Sequence, residues 1–160
     1  MATTVLNGKD YILEIDEVTA ITAPSGSNAS YKPILCEVSS TFGIATDEQS
    51  VSNKCGGGWA NSNPGDSSFT FSGEFQAIDP TTADASAVSL ANIANLAVTK
   101  KKFWLRRTKS GDAAAGVPAI VREGVVYISN YSEETGTEDP FSFTADFTGV
   151  GTPLITPSTT

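Results

Sequence analysis

Phe69-Thr70-Phe71-Ser72-Gly73-Glu74-Phe75 returns near the end of the chain as Phe141-Ser142-Phe143-Thr144-Ala145-Asp146-Phe147. Each aromatic position stays aromatic, each hydroxyl stays a hydroxyl, and Glu74 is matched by Asp146. Side chains of a strand alternate between faces, so both segments predict a strand with phenylalanines on one side and a polar, acidic row on the other. Burying the aromatic side stabilises by about 1.5–3 kcal/mol per ring. The polar rows are Ser72, Glu74 and Gln76 in one segment and Ser142, Thr144 and Asp146 in the other. A sheet built this way turns its second face to water or to something negatively charged.

Working outward, other stretches alternate in the same manner. Tyr11, Leu13 and Ile15 are interleaved with Ile12, Glu14 and Asp16, and Tyr31 to Phe42 continues the pattern. Asp47 to Lys54 reads as the return arm of a hairpin around Gly43. Ser68 to Ile78, Phe103 to Thr108, Val117 to Arg122, Val125 to Tyr131 and the second phenylalanine segment complete the series, with a turn or bulge at Glu123-Gly124. One stretch, about Ser86 to Lys100, carries a helical apolar stripe, with Pro80 to Thr82 ahead of it and Lys100 to Lys102 at its cationic end. One helix does not cover both faces of a parallel sheet. The expected fold is therefore mainly β, an antiparallel β-sandwich or strongly curved sheet with one flanking α-helix. A single domain over residues 1–160 is expected, with a long loop at about 43–66 and terminal arms at 1–6 and 150–160.

Composition narrows the chemistry. The chain has 160 residues, a formal net charge of −8 and no histidine. The charge argues against tight wrapping of nucleic acid, which needs clustered Lys and Arg, and does not exclude a surface past which nucleic acid slides, since like charge repels rather than grips. Without histidine, Ser-His-Asp and Cys-His machinery and histidine zinc sites are excluded, so no enzyme and no cofactor is expected. No basic region followed by an apolar run opens the chain, and no segment is apolar enough to span a membrane, so neither export nor membrane insertion is expected. Cys36 and Cys55 read as free thiols of a reducing compartment.

Six of the ten positive charges, Lys100, Lys101, Lys102, Arg106, Arg107 and Lys109, fall in one decade of sequence. Three readings stand side by side. The run with Phe103 and Trp104 is a nucleic-acid patch with stacking rings; or it is a helix end followed by a lysine-protected edge strand; or it is a belt that meets the acidic surface of an adjacent copy. Gly56-Gly57-Gly58 lacks the Lys-Ser/Thr and the helix of a phosphate-binding loop and reads as a flexible turn before Trp59. The acidic clusters Glu14-Asp16-Glu17, Asp47-Glu48 and Glu133 to Asp139 lack calcium-loop spacing and read as solvated surface, so no metal is expected.

The order of these pieces resembles the major tail tube proteins of long-tailed bacteriophages. The resemblance rests on Leu35-Cys36-Glu37-Val38-Ser39-Ser40, the Gly58-Trp59 loop, the Ser67 to Ala77 strand, the helix, and the closing Phe141 to Pro153 segment. It implies a non-enzymatic subunit forming rings, about six-membered, stacked into a tube that conducts DNA from particle to host. It implies a virion tail assembled in the bacterial cytoplasm, with tape measure and tail terminator or tip proteins as partners. By the same analogy Ser72, Glu74, Gln76, Ser142, Thr144 and Asp146 line the bore, where negative charge lets DNA pass without sticking. Gly56, Gly57, Gly58 and Trp59 then form an inter-ring loop, and Lys100, Lys101, Lys102, Arg106 and Arg107 an inter-subunit belt. The tube of a contractile injection system or gene-transfer particle, and a carbohydrate-binding or adhesin β-sandwich using Trp59 or Trp104, are the alternatives.

Overall fold

The computed structural model describes residues 7–17, 30–34, 36–51, 61–77, 87–111, 115–116, 120–137 and 139–156. Among the described residues seven strands form one sheet: β1 (Tyr11–Asp16), β2 (Lys32–Pro33), β3 (Glu37–Val51), β4 (Asn61–Gln76), β5 (Phe103–Lys109), β6 (Val121–Glu134) and β7 (Ser142–Thr156). Their spatial order is β2-β1-β5-β6-β7-β4-β3, and every neighbouring pair is antiparallel.

The two phenylalanine segments lie side by side. Phe71 stands opposite Phe147, Gly73 opposite Ala145 and Phe75 opposite Phe143. The repeat is thus read backwards across one strand pair, so small residues meet at its centre and rings meet on either side. Phe75 and Phe143 stack with centroids 4.9 Å apart, and Phe69 meets Phe71 edge to face. Such ring pairs add about 0.5–1.5 kcal/mol to what burial alone supplies. Leu13, Ile15, Phe103, Leu105, Val126 and Ile128 extend the apolar row across the remaining strands into one core.

The sheet curls until its margins nearly meet. β2 and β3 are at opposite ends of the strand order, yet only Ile34, Leu35 and Cys36 separate them in sequence. Extended chain covers at most about 3.6 Å per residue, so the two margins are held within a short span. Cys36 makes the reversal with a positive φ of 56°, a costly conformation for a residue with a side chain. Just beyond it, a Glu37 carboxylate oxygen accepts from the Leu13 backbone N–H at 2.9 Å, pinning the first residue of β3 to β1. Of the two expected architectures, the single curved sheet is the one observed. It remains open: among the described residues β3 pairs only with β4, and its outer margin has no strand beside it.

The helix, α1 (Leu90–Thr99), sends Ile93 and Leu96 into the core. It begins later than the periodicity suggests, because Ser89 is the cap: its hydroxyl accepts from the Asn92 N–H. Pro80 to Thr82 lie outside the described residues. Lys100 ends the helix in a left-handed conformation, φ 52°.

Four further features differ from the sequence reading. No hairpin turns at Gly43; β3 runs straight through it, paired with Thr70. Residues 43–51 and 61–66, within the expected long loop, are paired strand; 52–60 lie outside the described residues, as do 1–6 and 157–160. The expected C-terminal arm from residue 150 is instead strand through Thr156, paired as far as Val121. Finally, Glu123-Gly124 does not divide two strands, since β6 is continuous; the register with β7 does shift there, between Glu123 and Val125, with the extra residues on β7, where Gly151 takes φ 82°.

Candidate functional site

The six polar residues singled out by alternation come together on one exposed face. They form three directly opposed pairs across β4 and β7: Ser72 with Asp146, Glu74 with Thr144, and Gln76 with Ser142. Neighbouring strands lengthen these rows. Asn130 and Thr41 flank the first, Ser132 and Ser39 the second, and Glu134 extends the third. Asn130 Nδ2 donates to an Asp146 carboxylate oxygen at 3.1 Å, and the Thr41 and Ser72 hydroxyls bond at 2.6 Å. Glu74, Asp146 and Glu134 make this four-strand surface negative, and no Lys or Arg stands in these rows.

The members on β6 escaped sequence reasoning because of a register shift between Ile128 and Asn130. Ile128 belongs to the buried row and Asn130 to the polar one, though both are even positions. An extra residue, Ser129, turns the strand over between them. The signal that remained was the renewed alternation of Asn130, Ser132 and Glu134 against Tyr131.

Beyond Thr70, β4 parts from β7 and continues with β3 as a two-stranded arm. The apolar row stops there, since Phe69 opposite Ile44 is followed by Ser67 opposite Thr46, whose hydroxyls bond at 2.9 Å. With hydroxyls in place of rings on its core-side face, the arm has nothing to bury and is exposed nearly throughout. Asp47, Glu48 and Asp66 lie on it.

The basic run does not form one surface. Lys100, Lys101 and Lys102 lie exposed at the turn from α1 to β5, whereas Arg106 and Arg107, adjacent on a strand, point to opposite faces. Arg106 Nε donates to Glu14 at 2.9 Å, its second donor completes the salt bridge, and its guanidinium lies 3.9 Å from the Tyr31 ring centroid. Tyr31 donates in turn to Glu123, and burial, reinforced by that hydrogen bond, pushes its hydroxyl pKa well above the ordinary tyrosine value. This network clamps the chain ahead of β2 onto the outer face of β1, β5 and β6. Below it Asp16 is fully buried, an exception to the expected solvated acidic cluster, and accepts from the Ser30 N–H. Phe103 and Trp104 are buried as well, so neither offers a ring for stacking a base or a sugar. Gly56, Gly57, Gly58, Trp59 and Cys55 lie outside the described residues. Cys36 is an exposed free thiol.

No protein-family model and no curated protein sequence matches the chain. Solved structures do. The tail of an empty gene transfer agent particle with C6 symmetry superposes with a TM-score of 0.68 at 16% identity, covering 95% of this chain and 99% of that one. The SPP1 tail tube gives a TM-score of 0.65 at 14% identity, covering 96% and 80%. The fold is the tail-tube fold. A sheath-tube complex of an extracellular contractile injection system shares it at a TM-score of 0.56 and 10% identity, covering 96% and 92%. In tail-tube terms, this chain carries its polar face on β3, β4, β6 and β7 and its free margin on β3. Among the described residues, no cluster of three or more metal-ligating side chains gathers anywhere on it.

Proposed function

We propose that the chain is a structural, non-enzymatic subunit that assembles into stacked rings, six-membered as in the C6 tail it is similar to, forming a phage tail tube for DNA. The observation that carries the reading is the outer margin of β3. β3 is fifteen residues long and pairs with β4 on one side, while the N–H and C=O groups on its outer side meet no strand among the described residues. Such a margin is an aggregation liability unless another copy covers it, and ring closure covers it on every subunit at once. The negative face on β3, β4, β6 and β7 is then the bore, with Ser72, Glu74, Gln76, Ser142, Thr144 and Asp146 at its centre. Its carboxylates repel phosphates, so DNA passes without a counterion-releasing grip. Gly56 to Trp59 serves contact between rings. A tape measure protein, terminator or tip proteins, and a virion location after assembly in the bacterial cytoplasm belong to the same reading.

A second reading, a contractile-injection or gene-transfer tube, is favoured by the likeness to those assemblies and differs in cargo and surroundings rather than in subunit. A carbohydrate-binding module loses one of its two tryptophans to the interior.

Negative-stain microscopy of the concentrated protein tests the assignment. Rings or tubes are the expected result; a strictly monomeric protein at high concentration across salt conditions overturns it.

A further inference from the structure

Arg107 and Arg122 stand directly opposite one another on β5 and β6. They occupy the core-facing row, one step beyond Leu105 and Gly124, at the mouth of the curled sheet. Like charges in that position repel. Together with Asn7, Gly8, Tyr11, Phe42 and Ile120 they line a cavity of about 330 Å³. Arg107 lies 5.9 Å from the Tyr11 ring centroid, and Arg122 donates to the Val121 carbonyl at 3.0 Å. Among the described residues neither meets a carboxylate, although their neighbours on the opposite face, Arg106 and Glu123, are directly opposed and of opposite sign. Two guanidinium groups beside aromatic and aliphatic walls suit an oxyanion, which each grips through paired N–H donors.

The anion is on the arm. Residues 37–51 and 61–77 contain no Lys or Arg, so Asp47, Glu48 and Asp66 have no cation on the two paired strands that carry them. Tyr127, Thr148 and Thr70 are in register across β6, β7 and β4. From that line Arg122 is five residues and Asp66 four residues along in the same direction, so pocket and carboxylates lie at similar height. Because β4 diverges from β7 beyond Thr70, the arm leaves its own sheet and does not fill its own pocket. Similar height along the strands suits a copy placed side by side rather than head to tail.

We propose that the Arg107–Arg122 pocket receives a carboxylate from the Asp47–Glu48–Asp66 arm of the neighbouring copy within a ring, an inference that rests on the assembly reading above. The test compares Arg107→Gln/Arg122→Gln, Asp47→Lys/Glu48→Lys/Asp66→Lys, and Arg122→Cys with Asp66→Cys in a Cys36→Ser/Cys55→Ser background. The first two are expected to raise the concentration needed for ring formation about tenfold or more, read by light scattering and microscopy. The first is expected to leave the isolated chain at least as stable to urea, since it removes a like-charge pair. The cysteine pair is expected to cross-link copies within rings. Rings that form from the glutamine variant at the wild-type concentration and salt dependence overturn the inference while leaving the assembly reading intact. A wild-type chain that never assembles removes both. Inorganic phosphate bound by the isolated chain, with ring formation indifferent to arm reversal, also overturns it and assigns the pocket to a free anion. So does a change confined to DNA retention.

Discussion

The ring of Phe69 lies on Gly149: a Cβ there would stand 2.3 Å from Phe69 Cε1, and one at Gly124 would stand 2.5 Å from Cζ. Two glycines on adjacent strands thus form the bed for one buried ring at the point where β4 parts from β7. Gly149→Ala is expected to destabilise by about 1–3 kcal/mol through overpacking, read from urea unfolding. Gly111→Ala, with open space around it, is the control and should change little.

Phe75 and Phe143 stack on one side of the Gly73–Ala145 pair at the centre of the repeated motif. Either change to Ala should cost about 3–5 kcal/mol, mostly lost burial and cavity. A double-mutant cycle should return a coupling of about 0.5–1.5 kcal/mol for the ring pair. Strict additivity of the two changes would mean that the rings act only as filler.

Glu37 ties the start of β3 to β1 by accepting from the Leu13 N–H. Replacing its carboxylate by the amide of Gln weakens a charge-assisted bond, for an expected loss of about 1 kcal/mol. Amide hydrogen exchange at Leu13 should accelerate more than at Ile15, which pairs with Leu105 and Lys32. Equal exchange in both proteins would show that the margins are held by other contacts.

Tyr31 supplies an alkaline limit. Its folded pKa is raised above the unfolded value near 10, first by burial and then by the bond to Glu123. Above that pH the unfolded chain releases a proton that the folded chain retains, so the contribution is complete below pH 10 and declines as pH rises further, by up to about 1.4 kcal/mol per pH unit. Tyr31→Phe should be less stable than wild type at pH 8, and the gap should narrow above pH 10 in urea titrations. A gap that widens there contradicts the sign.

For the polar face the expected outcome is electrostatic. Glu74→Lys/Asp146→Lys should leave subunit stability within about 0.5 kcal/mol, because both side chains are exposed. Assembled tubes of this variant should retain DNA at low salt and release it as salt rises, in a filter or sedimentation assay. Tubes that hold no more DNA than wild type would assign the face to the tube exterior.

Much of this was legible in the residues alone. The period of two in Phe69 to Phe75 and Phe141 to Phe147 separated a buried row from a polar one correctly, because strand alternation is a property of the local backbone. The period near 3.6 found α1 for the same reason. The tertiary structure decided who stands beside whom. That the two phenylalanine segments pair with each other, that Ser129 turns β6 over, and that Arg106 is neutralised while Arg107 faces Arg122 all depend on register between strands distant in sequence. Register is chosen by the packing of the whole curled sheet, and no local window contains it. The same holds for the free margin of β3: its alternation marks it as a strand, but only the arrangement of the other six leaves it at the edge.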